Sequence, residues 1–508
     1  MTPPAPHDAD ADDRANNPIH HARHMRIICA GAGASGLLLA YKLQRSFRNY
    51  TLTIYDKNGD VAGTWVENRY PGCACDVPSH SYTYSFWPHR YDDKGSGPSR
   101  VYAGSAEIKA YFKGFAEAWG LGGSSAIQVL PAIQPHVKSL TTFIRSPTWI
   151  APPIGSSGQR EYTEEEKHVF KTQPGALLRH RKEIEDGMNK YFAVFQKNSA
   201  EQSASRAALT TSMRAALSSR PDLAAALIPD WSVGCRRFTP GPGYLEALCA
   251  SNVTAVLPSA APNTGDVTAI TSSGTGVITA AGTTHAGPFD ALICATGFNT
   301  SFRPRFPVVN GATGRDLRRE WAPPEHDARG YLATGAAGFP NYVTMFGPAS
   351  PTGNGPVLGA LEAQADYVCA LLDRFQTEDV AAFAPKRAAV DDFNAWVDAY
   401  MRRMVWSDDC RSWYKKHSAT GRVTGLWPGS MLHFVEALRE VRWDDWEVEY
   451  RGNRFAWLGN GFSRTEVDPD ADLSYYVREV DDGGWASREM RRKALTRKKG
   501  VEETKAKL

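Results

Sequence analysis

Met25-Arg-Ile-Ile-Cys-Ala-Gly31-Ala-Gly33-Ala-Ser35-Gly36 is the stretch from which the fold of this chain is read. The apolar run Met25–Ala30 reads as a strand, and it passes directly into a G-x-G-x-x-G turn made by Gly31, Gly33 and Gly36. Leu37 to Gln44 continues as a helix. A second strand, Tyr50–Tyr55, ends on Asp56, twenty residues beyond Gly36. In such a βαβ unit the first glycine permits the tight turn, and the second lets the backbone approach a pyrophosphate. The third lets helix and strand pack closely, while a terminal carboxylate meets a ribose. The phosphate sits on the helix N-terminus, so strand, turn, helix and acid together point to a bound dinucleotide.

The residues after Asp56 narrow the choice of dinucleotide. Gly59-Asp-Val-Ala-Gly63-Thr64-Trp65, Asn68-Arg-Tyr-Pro71-Gly72, Cys75-Asp76 and Tyr82-Thr-Tyr-Ser-Phe86 resemble the class B flavoprotein monooxygenases, and among them the Baeyer–Villiger enzymes. The resemblance implies that Gly31, Gly33, Ser35, Gly36, Asp56, Gly63, Thr64, Trp65, Asp76 and Tyr82 lie against FAD. It places Cys73, Ala74 and Cys75 near the nicotinamide nucleotide.

A second glycine turn, Gly120-Leu-Gly122-Gly123-Ser124-Ser125-Ala126, resembles the one that holds NADPH in this family. It follows the amphipathic run Ser105–Trp119, whose Ile108, Tyr111, Phe112, Phe115 and Trp119 recur at helical spacing, so no strand feeds it. The family's linker between the two glycine turns is also missing, which reads as an internal deletion. Val137 to Ile144 reads as a strand ending at Arg145. That position, followed by Ser146, suits a contact to a 2′-phosphate.

Further on, Val233-Gly-Cys-Arg236-Arg237-Phe-Thr-Pro-Gly resembles the loop bearing the family's catalytic arginine, with Arg237 in register. A permanently charged guanidinium suits the anionic flavin C4a-peroxide through which the resemblance implies oxygen insertion. Phe289 to Phe298, closing in Ala-Thr-Gly, reads as a strand buried on both faces, and Tyr342 to Phe346 as a strand returning to the first lobe. Cys410-Arg-Ser-Trp413-Tyr414 and Thr424-Gly-Leu-Trp427 resemble a C-terminal loop that folds over nucleotide and substrate.

Elsewhere the chain is plainer. Tyr162 to Ala226 is helical in composition, Val267 to Thr279 carries the short runs of a β-meander, and Pro356 to Arg374 has one continuous apolar side. The 508 residues carry a net charge of +3, which gives no basic stripe for a nucleic-acid partner. No apolar run reaches the length of a membrane span. Eight scattered cysteines, without C-x-x-C or metal-ligand spacing, suit a reducing cytoplasm. Residues 1–24 lack the basic and apolar regions of a signal peptide and read as a disordered lead.

The expected fold is therefore α/β, with two Rossmann-like lobes, one for FAD and one for NADPH. The first sheet and the start of the second are truncated, and a helical insertion interrupts the second lobe at about 160–230. The expected boundaries are 25–120 for the first part of the FAD lobe, 121–300 for the NADPH-type lobe, and 301–380 for the return to the FAD lobe. A C-terminal helical and loop region at 381–485 and a charged tail at 486–508 follow. The resemblance implies oxygen insertion into a small-molecule carbonyl compound using NADPH and O2, in fungal specialised metabolism. Two alternatives stay open: a catalytically impaired flavoprotein fold with a ligand- or partner-binding role, and N- or S-hydroxylation.

Overall fold

The opening unit forms as its pattern predicts. The computed structural model describes residues 14–68, 70, 72–89, 91, 97–119, 133–151, 160–237, 239–257, 267–273, 275–285, 287, 289–293, 299–322 and 326–477. In it β1 (Met25–Ala30) and β2 (Tyr50–Tyr55) pair in parallel, from Met25↔Tyr50 to Ala30↔Tyr55, with α1 (Ala34–Ser46) between them in sequence. Helix α1 buries Leu37, Leu38, Leu39 and Leu43. Met25, Leu39, Leu43 and Phe47 pack with Val368 of the Val357–Thr377 helix, which buries the apolar side its periodicity requires.

Among the described residues the β1–β2 sheet has only two strands. Its residues alternate, and one face is left open: Ile28 is 75% and Tyr55 63% exposed. A parallel sheet is ordinarily covered on both faces, and among the described residues this one is not.

The lead is not disordered throughout. Residues 1–13 lie outside the described residues, but Arg14 and Arg23 are buried. Arg14 donates to the carbonyls of Gln376 and Thr377 and pairs with Asp379 at 3.3 Å. Arg23 donates to the Phe375 carbonyl, with its guanidinium carbon 4.1 Å from that ring's centroid. Their partners come from chain 350 residues away, which is why a short polar segment could be mistaken for a solvated tail.

The segment read as an insertion is helical, with helices at Glu164–Thr172, Ala176–Asn189, Ala200–Ala216 and Pro221–Leu227. A capping box at Thr163 and Glu166 starts the first. Arg181 pins the second onto the opening unit by donating to the carbonyls of His80, Ser85 and Tyr84 and to Thr83 Oγ1, at 2.9–3.2 Å. Beside it His80, His89, His180, Tyr91, Tyr162 and Phe170 form one ring cluster.

Burial, the largest effect, together with neighbouring histidine and Arg181 charge holds His80 well below its ordinary pKa. Burial likewise lowers His89 to about 4 and depresses His180. Such histidines are neutral when folded and take up protons once unfolded. Their contribution is full above about pH 6.5 and is lost as pH falls toward the folded values, for His89 by about 1.4 kcal/mol per pH unit down to about 4. The melting temperature should therefore drop between pH 6.5 and 4, and a His80→Phe, His89→Phe double variant should flatten that slope. An equal slope in both proteins would contradict it.

The remaining strands are short. Leu140–Phe143 pairs in parallel with Val253–Val256, and Ile150–Ala151 with Thr239–Pro240. Val267–Ile270, Val277–Thr279 and Thr284–His285 form the expected antiparallel meander. Val380–Pro385 pairs with Trp446–Tyr450.

Among the described residues two expected strands are absent. Residues 289–293 carry no strand, and Phe289, Leu292 and Ile293 are exposed; the Ala-Thr-Gly turn after them lies outside the described residues. Their apolar character suits a sheet that, among the described residues, supplies no neighbour for them. Tyr342–Phe346 carries no strand, only an isolated bridge from Val343 to Gly335, and is flanked by Asn341 and Phe346 at φ of 59° and 55°. Its backbone bonds to the Thr334 carbonyl and to Gln364 Oε1 instead of to a ladder. No described helix is long and apolar enough to cross a membrane, and no described group of His, Cys, Asp or Glu could hold a metal ion.

Candidate active site

The glycine turn is built as the chemistry requires. Gly31 takes φ 110°, a value only glycine adopts without strain, and its N–H donates to the Tyr55 carbonyl at 2.7 Å. Gly33 caps α1 with no side chain on the first amides, and Ser35 stands in that first turn. A Cβ on Gly36 would lie 2.2 Å from the Gly31 carbonyl oxygen, so the third glycine is demanded by packing. Asp56 binds the turn itself, accepting from Ala32 N–H at 2.7 Å and from Asn58 N–H at 2.8 Å. A carboxylate has about four acceptor positions, which leaves capacity for a ribose hydroxyl.

The other candidates converge on this turn. Gly63 caps the short Thr64–Glu67 helix, and its Cα lies 4.0 Å from where a Gly33 Cβ would stand. Thr64 is exposed, whereas Trp65 is buried edge-on to Tyr82, which in turn meets Phe112. Cys73 and Cys75 are buried in the same core, flanking Ala74, which bridges to Gly104. Burial and then the Asp76 charge push the Cys75 thiol well up, so it is a packing group and not a nucleophile.

Arg237 reaches Asp76 across 161 residues. Its Nε and Nη2 donate to the two carboxylate oxygens at 2.5 and 3.0 Å, and Nη1 donates to the Thr352 carbonyl at 3.3 Å. The Asp76 charge raises the guanidinium pKa further, so it stays protonated at any working pH. Arg237 keeps 38% of its side-chain surface open.

Tyr414 Oη, from the C-terminal loop already noted, and Thr352 Oγ1 and Asn354 Nδ2, which the sequence did not single out, are buried without a hydrogen-bond partner among the described residues. Thr352 is a direct neighbour of Arg237, and Tyr414 feels the charges of both Arg237 and Asp76. Buried polar groups rarely stay unpaired, so these orphans suit a bound polar ligand. The open glycine turn and these atoms together fit a flavin dinucleotide.

Of the nucleotide candidates, Gly122, Gly123, Ser124, Ser125 and Ala126 lie outside the described residues. Arg145 is exposed at the end of the Leu140–Phe143 strand. Ser146 Oγ accepts from Arg236 Nη1 at 2.9 Å. Burial, and then repulsion from the charges of Arg145 and Arg411, lowers the Arg236 pKa. Arg236 was passed over because it adjoins Arg237, yet the two neighbours part, one to Asp76 and the other to Ser146 and the Pro147 carbonyl.

Comparison with known proteins agrees with this layout. Residues 29–91 match an NAD(P)-binding Rossmann-like domain. The chain is 33% identical to an FAD-binding monooxygenase of Aspergillus terreus, over 91% of this chain and 96% of that protein. It is 29% identical to a Baeyer–Villiger monooxygenase of Streptomyces coelicolor, over 88% and 96%. The fold superposes on a closed crystal structure of cyclohexanone monooxygenase with a TM-score of 0.67 at 19% identity, covering 84% of this chain and all of that one. The chain belongs to the FAD-binding monooxygenases. The Aspergillus alignment runs over 561 positions while using 91% of these 508 residues, so at about a hundred positions this chain has no residue.

Proposed function

We propose that this protein is a Baeyer–Villiger monooxygenase that inserts one oxygen atom of O2 into a small carbonyl compound, with FAD as cofactor and NADPH as reductant. The observation that carries the reading is the Arg237–Asp76 pair, which brings the arginine loop onto the FAD-motif loop. Bound FAD, once reduced, supplies the activation of O2. Asp76 holds the guanidinium plane through two hydrogen bonds, and Arg237 presents fixed positive charge where negative charge develops. Heteroatom hydroxylation has less need of a fixed cation. Incubation with a ketone and with a thioether, followed by product analysis, tests the choice: ester from the ketone supports the reading, and sulfoxide alone contradicts it.

A solved structure described as an OTEMO complex with FAD and NADP, matched at a TM-score of 0.67 and 19% identity, supports the second nucleotide. Arg145, Arg236 and Ser146 would meet its phosphates. The open face of β1–β2, the exposed 289–293 segment and the hundred missing positions instead favour an impaired relative that has lost part of its nucleotide lobe. The Ser105–Trp119 helix runs up to the second glycine turn with no strand to aim its amides. An exposed ion pair contributes at most about 1 kcal/mol, too little to replace them. NADPH should thus bind much more weakly than FAD and reduce it slowly. Anaerobic NADPH titration read by flavin absorbance checks this; tight saturation with fast bleaching would refute it.

A further inference from the structure

Of the cysteines expected to stay free, two are joined. Cys235 and Cys410 form a disulfide across 175 residues, with Cα atoms 6.3 Å apart and both residues fully buried. Cys235 precedes Arg237 by two positions, and Cys410 opens the turn that carries Trp413 and Tyr414.

The polar ties around the disulfide converge on one acidic residue. Ser232 N–H donates to Asp408 Oδ2 at 3.3 Å, Lys197 pairs with Asp408 Oδ1 at 2.9 Å, and Lys415 donates to the Asp408 carbonyl. The arginine loop itself contains Gly234, Gly241 and Gly243 and only a two-residue strand, so little regular structure fixes it.

We propose that the Cys235–Cys410 disulfide is a positioning device for Arg237. It clamps the arginine loop to the C-terminal loop so that Arg237 and Tyr414 face one cleft, and its reduction lets the C-terminal loop part from the arginine. A disulfide restricts its Cα atoms to about 4.4–6.8 Å, whereas two thiols carry no such limit. Exchange with Cys29, Cys75 and Cys369 is disfavoured, because burial raises these thiols, the last to about 12, and thiolate is the attacking form.

Closure removes two electrons and two protons from the thiols. Hydrogen peroxide accepts them to give two waters, or a low-molecular-weight disulfide accepts them to give two thiols. Opening consumes two equivalents of a thiol reductant. The clamp is thus closed under oxidising conditions and open in a reducing cytoplasm.

The catalytic part of this inference rests on the proposed oxygen insertion; the covalent part does not. The full flavin-loaded chain, purified without reductant and alkylated before digestion, should yield a peptide linking Cys235 to Cys410. Alkylation of both residues in that sample would overturn the clamp. The reduced chain and a C235S/C410S variant should keep their flavin but be cut faster by protease within 405–430, and should lose coupling of oxygen consumed to ester formed. Diamide should restore both properties in the reduced parent and neither in the variant. Equal cleavage and equal coupling in the two redox forms would overturn the positioning role. Should the parent form no ester while reduction still speeds cleavage, the oxygen-insertion reading fails and the clamp stands.

Discussion

Gly33→Val should give a folded protein that retains no flavin. Gly33 has φ −82°, which a valine tolerates, and an added Cβ would meet nothing nearer than the Gly63 Cα at 4.0 Å. The space it enters is the open mouth of α1, where a pyrophosphate needs close approach to the backbone. The variant separates binding from folding in a way that Gly36 cannot, since a side chain there collides with the Gly31 carbonyl and damages the unit itself. Near-parental melting without the flavin absorbance band is the expected result. Stoichiometric flavin in the purified variant would remove the turn from the FAD site.

Arg237→Ala should keep flavin and abolish ester formation. The guanidinium contacts Asp76 and the Thr352 carbonyl, neither of which belongs to the glycine turn. Loss of a charge-stabilising donor typically costs about 2.7–4 kcal/mol of barrier, a fall of about 10²–10³ in rate. Asp76 would also be left without its bidentate partner, so Asp76→Ala, Arg237→Ala together should cost less than the two single losses combined. Ketone turnover measured by product formation checks it; a rate near that of the parent would show that Arg237 is not the catalytic arginine.

What could be read in the sequence was whatever depends on local pattern. The βαβ opening announces itself through glycine spacing and a terminal acid, and the Ser105–Trp119 and Val357–Thr377 helices through apolar periodicity. Arg237 was legible by its motif, but its partner was not, because a sequence separation of 161 carries no sign of which carboxylate it meets. The same holds for Arg14 with Asp379 and for Cys235 with Cys410. Residues 289–293 misled in the opposite direction: an apolar run says that a segment wants neighbours, not that the chain supplies them. Tyr342–Phe346 was read as a strand from its composition, where left-handed residues at both ends turn the backbone.

The packing of Met25, Leu39 and Phe47 onto Val368, with Arg14 and Arg23 held by the carbonyls of residues 375–377, has a consequence in time. A ribosome emits the opening unit first and the helix that covers it more than three hundred residues later. At about 5–20 residues per second the apolar side of α1 waits roughly 15–70 s for its cover. During that interval the nascent chain offers a hydrophobic face to chaperones or to its neighbours on the polysome. A product released before residue 377 would never cover it, so premature stop codons even far downstream of the glycine turn should cost the protein its flavin.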